Sequence, residues 1–181
     1  KKKALRFLKL GLKVKITVWL LLLAFGWWLI PWIVGTVLRK PELLFPLRLA
    51  IIGVGGALLF SFSTFAIQAI QRFWIWSGLN VSINFLRLLV AGLLIAFGLL
   101  NLESSLIIYI IFLFLGFFLG LLFLPNFLKV KGENKVAREF FRYNKWVALF
   151  VLVAAISSRL DTFLSTRLLS LDEVGIYSVA V

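Results

Sequence analysis

Asn80, Asn84 and Arg87 are the residues whose types and spacing most directly suggest chemistry. They follow one another at intervals of four and three, which stacks them on one face of an α-helix. They also sit inside an apolar stretch running from Ser77 to Leu100, long enough to cross a bilayer. A guanidinium at membrane mid-depth costs about 2.5 to 3.5 kcal/mol on insertion scales, so such a charge turns toward a partner or a wet cavity. Two readings stay open for the stripe: polar glue between packed helices, or the lining of a path for a polar or charged cargo.

A second polar face precedes it. Ser61, Thr64, Gln68 and Gln71 are spaced by three, four and three. Ser and Thr also bond back to carbonyls of their own helix. A Gln amide needs partners from another helix or from water. Near the other end of the chain, Arg159 and Asp161 lie within an apolar run, with Ser157, Ser158, Thr162 and Ser165 around them. Residues two apart point to different sides of a helix, so each seeks a partner elsewhere. Arg159 has the option of snorkelling to the headgroups, and Asp161 that of pairing with Arg87.

These residues need a membrane scaffold, and the composition supplies one. Of 181 residues 62% are hydrophobic, and the mean hydropathy is +1.07. Five spans are expected, at 16–38, 47–70, 77–100, 106–124 and 146–165, with a sixth helix opening from about 174. The fold class is therefore all-α, a polytopic transmembrane bundle. Pro31 is expected to kink the first span, and Gly26 and Gly35 to leave room for a neighbour. The fourth span carries Gly116 and Gly120 in a GxxxG pair but is otherwise almost wholly apolar; it is read as lipid-facing and structural.

The chain has no Cys and no His, which excludes disulfides, thiolate or imidazole metal sites and Cys/His nucleophile pairs; no cofactor is expected. The formal charge of +13 would suggest nucleic acid in a soluble protein, but its placement argues otherwise. Basic residues cluster in Lys1–Lys15 and in Lys129–Lys145, between apolar runs, as in cytoplasmic loops. Four crossings separate the two clusters, so both fall on the cytoplasmic side if the first does. Residues 125–145 read as a basic linker, in part an amphipathic helix on anionic lipid. Met is absent, and the final residues look like the start of a helix; the chain is read as part of a longer protein.

The segment Ser158–Ala180 carries a resemblance. Arg159-Leu160-Asp161 is followed by a short loop and then by Glu173-Val174-Gly175-Ile176-Tyr177-Ser178. This resembles a recurring stretch of bacterial polysaccharide flippases of the multidrug/oligosaccharidyl-lipid/polysaccharide exporter superfamily. Gln68-Ala69-Ile70-Gln71-Arg72-Phe73, followed by the Asn-containing helix, is similar to that family's fourth and fifth helices. The resemblance implies a piece of a two-lobe transporter of about twelve to fourteen helices, from the third helix to the start of the eighth. Residues 1–124 would belong to the N-terminal lobe and 146–181 to the C-terminal one.

What the resemblance implies is translocation of a polyprenyl-pyrophosphate-linked oligosaccharide across the bacterial inner membrane by alternating access. Arg87 and Arg159 would meet the pyrophosphate, Asn80, Asn84 and Gln68 the sugar hydroxyls, and Asp161 would couple to an ion. A polysaccharide polymerase and glycosyltransferases are the implied protein partners. A cation antiporter of the same superfamily would carry more acids within its spans. A membrane glycosyltransferase would need paired carboxylates on a loop, for which Asp172-Glu173 is the lone candidate. A purely structural membrane subunit is the remaining alternative.

Overall fold

The computed structural model describes residues 2–130, 134–170 and 173–176. Every regular element among them is helical. Helix α1 spans Lys2–Trp32 and passes into a π-helical segment, Ile33–Leu38. A short 3-10 turn, Pro41–Leu43, leads into α2, Leu44–Ala69. Then come α3 (Phe73–Ala96), α4 (Leu102–Leu122), α5 (Asn134–Ser157) and α6 (Leu160–Leu168). Five helical segments are long and apolar enough to cross a membrane.

Several boundaries differ from the sequence-based expectation. The first helix starts at Lys2 rather than near Ile16, so the basic segment is part of it. Pro31 lies inside α1; with no N–H to donate, it removes one i→i−4 bond, and the chain passes into the wider π register from Ile33. Gly26 lies against Ile51, whereas nothing approaches Gly35. Helix α5 is continuous from the basic stretch into the apolar one. Within the expected span at 146–165 a turn at Ser158–Arg159 separates α5 from α6, while Lys135–Leu168 as a whole remains one candidate crossing. The Ser157–Ser158 pair is a recognised kind of kink site. Gln71 leaves the polar face of α2, because that helix stops at Ala69 and Gln71 turns the corner with φ 61°.

Packing centres on α2 and α4, which run side by side in the same direction. Small residues bring the two backbones together. Gly53 faces Ile110, Gly56 faces Leu113, and Gly116 and Gly120 face Phe60 and Ser63. Gly116 and Gly120 are buried, and Ser63 is wholly so. Helix α4 is therefore a central packing element and not a lipid-facing strut, since its glycine face meets α2 and also Ile83 and Leu79 of α3. Helix α1 lies antiparallel on another flank of α2, with Gly11 against Phe62 and Trp19 against Gly55. The Trp19 ring also meets Phe114, 5.8 Å between centroids, which closes α1 onto α4 on that side.

The ends of the bundle are tied by polar contacts. At one end Lys3 pairs with Glu139 at 2.9 Å, Phe7 packs on Phe140, and the Lys9 ammonium donates to the Val130 carbonyl at 2.8 Å. Arg72 donates to the Phe123 carbonyl at 3.2 Å. At the other end Lys40 donates to the Leu169 carbonyl. The backbone N–H and hydroxyl of Ser170 donate to Glu173, each at 2.8 Å. Those two bonds, the backbone one first, hold the Glu173 carboxyl below the usual carboxylate range, with a smaller push from Lys40. Asn101 caps α4 through a reciprocal pair with Ser104, at 2.7 and 2.9 Å.

Candidate functional site

Helix α2 packs in two directions and leaves a further face more open. Gly53, Gly56, Phe60 and Ser63 look toward α4, while Ile51, Gly55 and Phe62 look toward α1. Thr64 is buried and donates to the Ser61 carbonyl at 3.1 Å. Ser61, Phe65 and Gln68 lie on the remaining face; Phe65 is exposed, and Ser61 and Gln68 are half-buried.

Helix α3 runs antiparallel to α4 and buries Leu79 and Ile83 against it. Asn80, Asn84 and Arg87 lie about a quarter turn round from that seam, at 100° per residue. The handedness of the helices directs this stripe toward the Ser61–Gln68 face of α2. This face of α2 lies between α1 and α3, on the side opposite the Trp19–Phe114 contact.

The stripe is internally bonded. The Asn80 amide donates to the Trp76 carbonyl at 2.8 Å, and the Asn84 amide to the Asn80 carbonyl at 2.9 Å. Asn84 Oδ1 in turn accepts from Arg87 Nη2 at 2.8 Å. Each amide thus gives one of its two N–H donors to its own helix. Asn84 then uses its oxygen to orient the guanidinium. Across the α3–α4 seam, Arg87 Cζ stands 4.8 Å from the centroid of the Tyr109 ring, within cation–π range. Arg87 makes one hydrogen bond among the described residues, out of the five its donors allow. The ion pair among those residues joins Lys3 to Glu139 and leaves Arg87 without an acidic partner there.

Sequence reasoning missed two contributors. Tyr109 lies in the fourth span, which reads as almost wholly apolar. Lys15 read as part of a basic cluster outside the membrane. In the structure its ammonium donates to Ser61 Oγ at 2.7 Å and to the Leu58 carbonyl at 3.1 Å, halfway along α2. The available signal was Gly11, Lys15 and Trp19 at four-residue intervals, which makes one helical face of them.

Of the remaining expected site residues, Arg159 is exposed and sits in the turn before α6. Asp161 belongs to α6, and its side chain lies outside the described part, as do Asp172 and residues 177–181. The described residues contain no cluster of three His, Cys, Asp or Glu side chains able to hold a metal.

Among the described residues, an all-helical fold with five candidate spans defines a multi-pass membrane protein. The chain belongs to the polysaccharide biosynthesis protein family, whose profile matches residues 13–181. This family is of the exporter type that the Arg-x-Asp and Gly-x-Tyr-Ser stretches resemble. No curated protein and no solved structure matches the chain.

Proposed function

We propose that this chain forms part of a flippase that carries a polyprenyl-pyrophosphate-linked oligosaccharide across the bacterial inner membrane. The observation that carries the reading is Arg87: a guanidinium well inside a long apolar helix, oriented by Asn84 and Tyr109, with no acid paired to it among the described residues. A buried or half-buried charge without a counterion is costly. An anionic passenger supplies the missing charge, and a pyrophosphate suits the planar fork of Arg. Amide oxygens beside it suit sugar hydroxyls. The scarcity of acids around the stripe weighs against a cation antiporter.

In this reading residues 1–124 belong to one lobe, the segment around α5's start joins it to a second, and the lobes rock to alternate access. Lys135, Arg138, Arg142 and Lys145 on α5 face anionic headgroups on the cytoplasmic side, where the N-terminal end of α1 also lies. Arg159 and Asp161 act in the second lobe, the former on the pyrophosphate and the latter in ion coupling. The polymerase and glycosyltransferases of the same polysaccharide are its neighbours in the membrane.

The test uses the full-length protein in proteoliposomes that hold a labelled lipid-linked oligosaccharide. A membrane-impermeant oxidant of the glycan is added outside. Translocation brings the inner-leaflet share within its reach. If the reactive fraction stays at the outer-leaflet share, as in empty vesicles, the reading is wrong.

A further inference from the structure

Lys15 is held where a neutral residue would satisfy the same contacts. The pairs Gly11–Phe62, Trp19–Gly55 and Gly26–Ile51 fix the register of α1 on α2. They set Lys15 against the middle of α2 and not beyond its end. The acceptors of its ammonium, Ser61 Oγ and the Leu58 carbonyl, are both uncharged. Ser61 also donates to that carbonyl at 2.9 Å, so the carbonyl is already served. The Phe65 ring, 5.8 Å from Nζ, is the third neighbour. An ammonium has three donors, and its positive charge meets no carboxylate among the described residues. A Gln at this place would bond Ser61 without the cost of embedding a charge.

Depth and direction connect Lys15 to the stripe on α3. Gly116 touches both Phe60 and Ile83, so those residues stand at one level of the bundle. Lys15 reaches Leu58 and Ser61, on either side of that level. Asn84 follows Ile83, and Arg87 is one turn further along α3. The two cations therefore stand on the helices flanking the Ser61–Gln68 face of α2, within about two helical turns of each other along the axis.

We infer that Lys15 and Arg87 form a two-cation clamp in which each takes one phosphate of a pyrophosphate, Lys15 from α1 and Arg87 from α3. This rests on the proposed function and deepens it by assigning a second phosphate ligand. The residue types suit the division of work. Arg is a preoriented fork, here fixed by Asn84 and Tyr109, while Lys is a mobile point charge that swings between Ser61 and a ligand. A single phosphate, whether the diester of a phospholipid headgroup or the monoester of a polyprenyl monophosphate, engages only one of the two cations at a time. A pyrophosphate engages both.

The experiment measures binding of polyprenyl pyrophosphate and polyprenyl monophosphate to the full-length protein in detergent, by native mass spectrometry, with phosphatidylglycerol as competitor. The wild type is expected to prefer the pyrophosphate. Lys15→Gln is expected to lose about tenfold in affinity for it, the scale of one charge-assisted hydrogen bond, and to lose the preference over monophosphate. Lys15→Arg is expected to keep both. Because these 181 residues include no cysteine, Lys15→Cys in a cysteine-free background gives a second route. Its aminoethylation restores an ammonium and should restore the preference, even if Lys15→Gln folds poorly.

The clamp is overturned if Lys15→Gln binds like wild type while Arg87→Gln is impaired, or if aminoethylation restores nothing; the proposed function survives both results. If the wild type binds neither polyprenyl phosphate, or phosphatidylglycerol displaces both equally, the clamp and the pyrophosphate reading fall together.

Discussion

Arg87→Ala is expected to reduce glycan export by about tenfold to a hundredfold, the range set by 1.5–3 kcal/mol for a hydrogen bond to a charged group. The amount of protein in the membrane should stay unchanged. The structure explains why the two readouts separate. Arg87 is half-buried, and its hydrogen-bond partner Asn84 is exposed. Removing the guanidinium therefore strands no buried acceptor, and the Asn84 amide keeps its bond to the Asn80 carbonyl. Arg87→Lys keeps the charge but loses the fork and the stacking on Tyr109, so it should fall between wild type and Ala. Quantifying surface glycan alongside membrane-extracted protein checks both. Export at the wild-type level in Arg87→Ala would remove Arg87 from the site.

Gly120→Val is expected to act on the fold instead. A Cβ built at Gly120 would lie 2.6 Å from Ser63 Oγ and 2.7 Å from Ser63 Cβ, with Leu79 at 3.2 Å. Ser63 has no exposed surface and cannot swing away. The α2–α4 seam must open, at a cost of about 1–3 kcal/mol for overpacking a close-fitting interface. Gly92→Val is the matched control. It places the same side chain on α3, where nothing lies within 4 Å of the added Cβ. In detergent the first variant should melt well below wild type and the second close to it. Equal melting temperatures would show that α2 and α4 do not pack through these glycines.

The sequence made the apolar runs, the polar stripe on α3 and the helical class legible, because each rests on local spacing. Asn80, Asn84 and Arg87 fall on one face for any α-helix. What packs against what was not local. The Gly116–Gly120 pair announced a close approach without naming Phe60 and Ser63 as its partners. Lys15 looked like a solvated charge because the acceptors that hold it come from a helix more than forty residues away in the chain. The turn at Ser158–Arg159 divides the helix within the fifth candidate crossing, and it leaves Arg159 exposed. Gln71 left its predicted face because α2 ended early and the corner needed a residue with positive φ. In each case the deciding factor was tertiary packing or a chain reversal, neither of which leaves a period in the sequence.

The central claim is that the Asn84 side of α3 borders a wet groove that accepts the anionic lipid-linked glycan. Asn84→Cys and Phe85→Cys, made separately in a cysteine-free full-length protein, test it at one depth on two faces. Phe85 is 57% exposed and points away from the polar stripe. A charged, membrane-impermeant thiol reagent applied to membranes should label Asn84→Cys and spare Phe85→Cys, and added lipid-linked oligosaccharide should protect the first. Equal labelling of both positions, or an inert Asn84→Cys, would contradict the account.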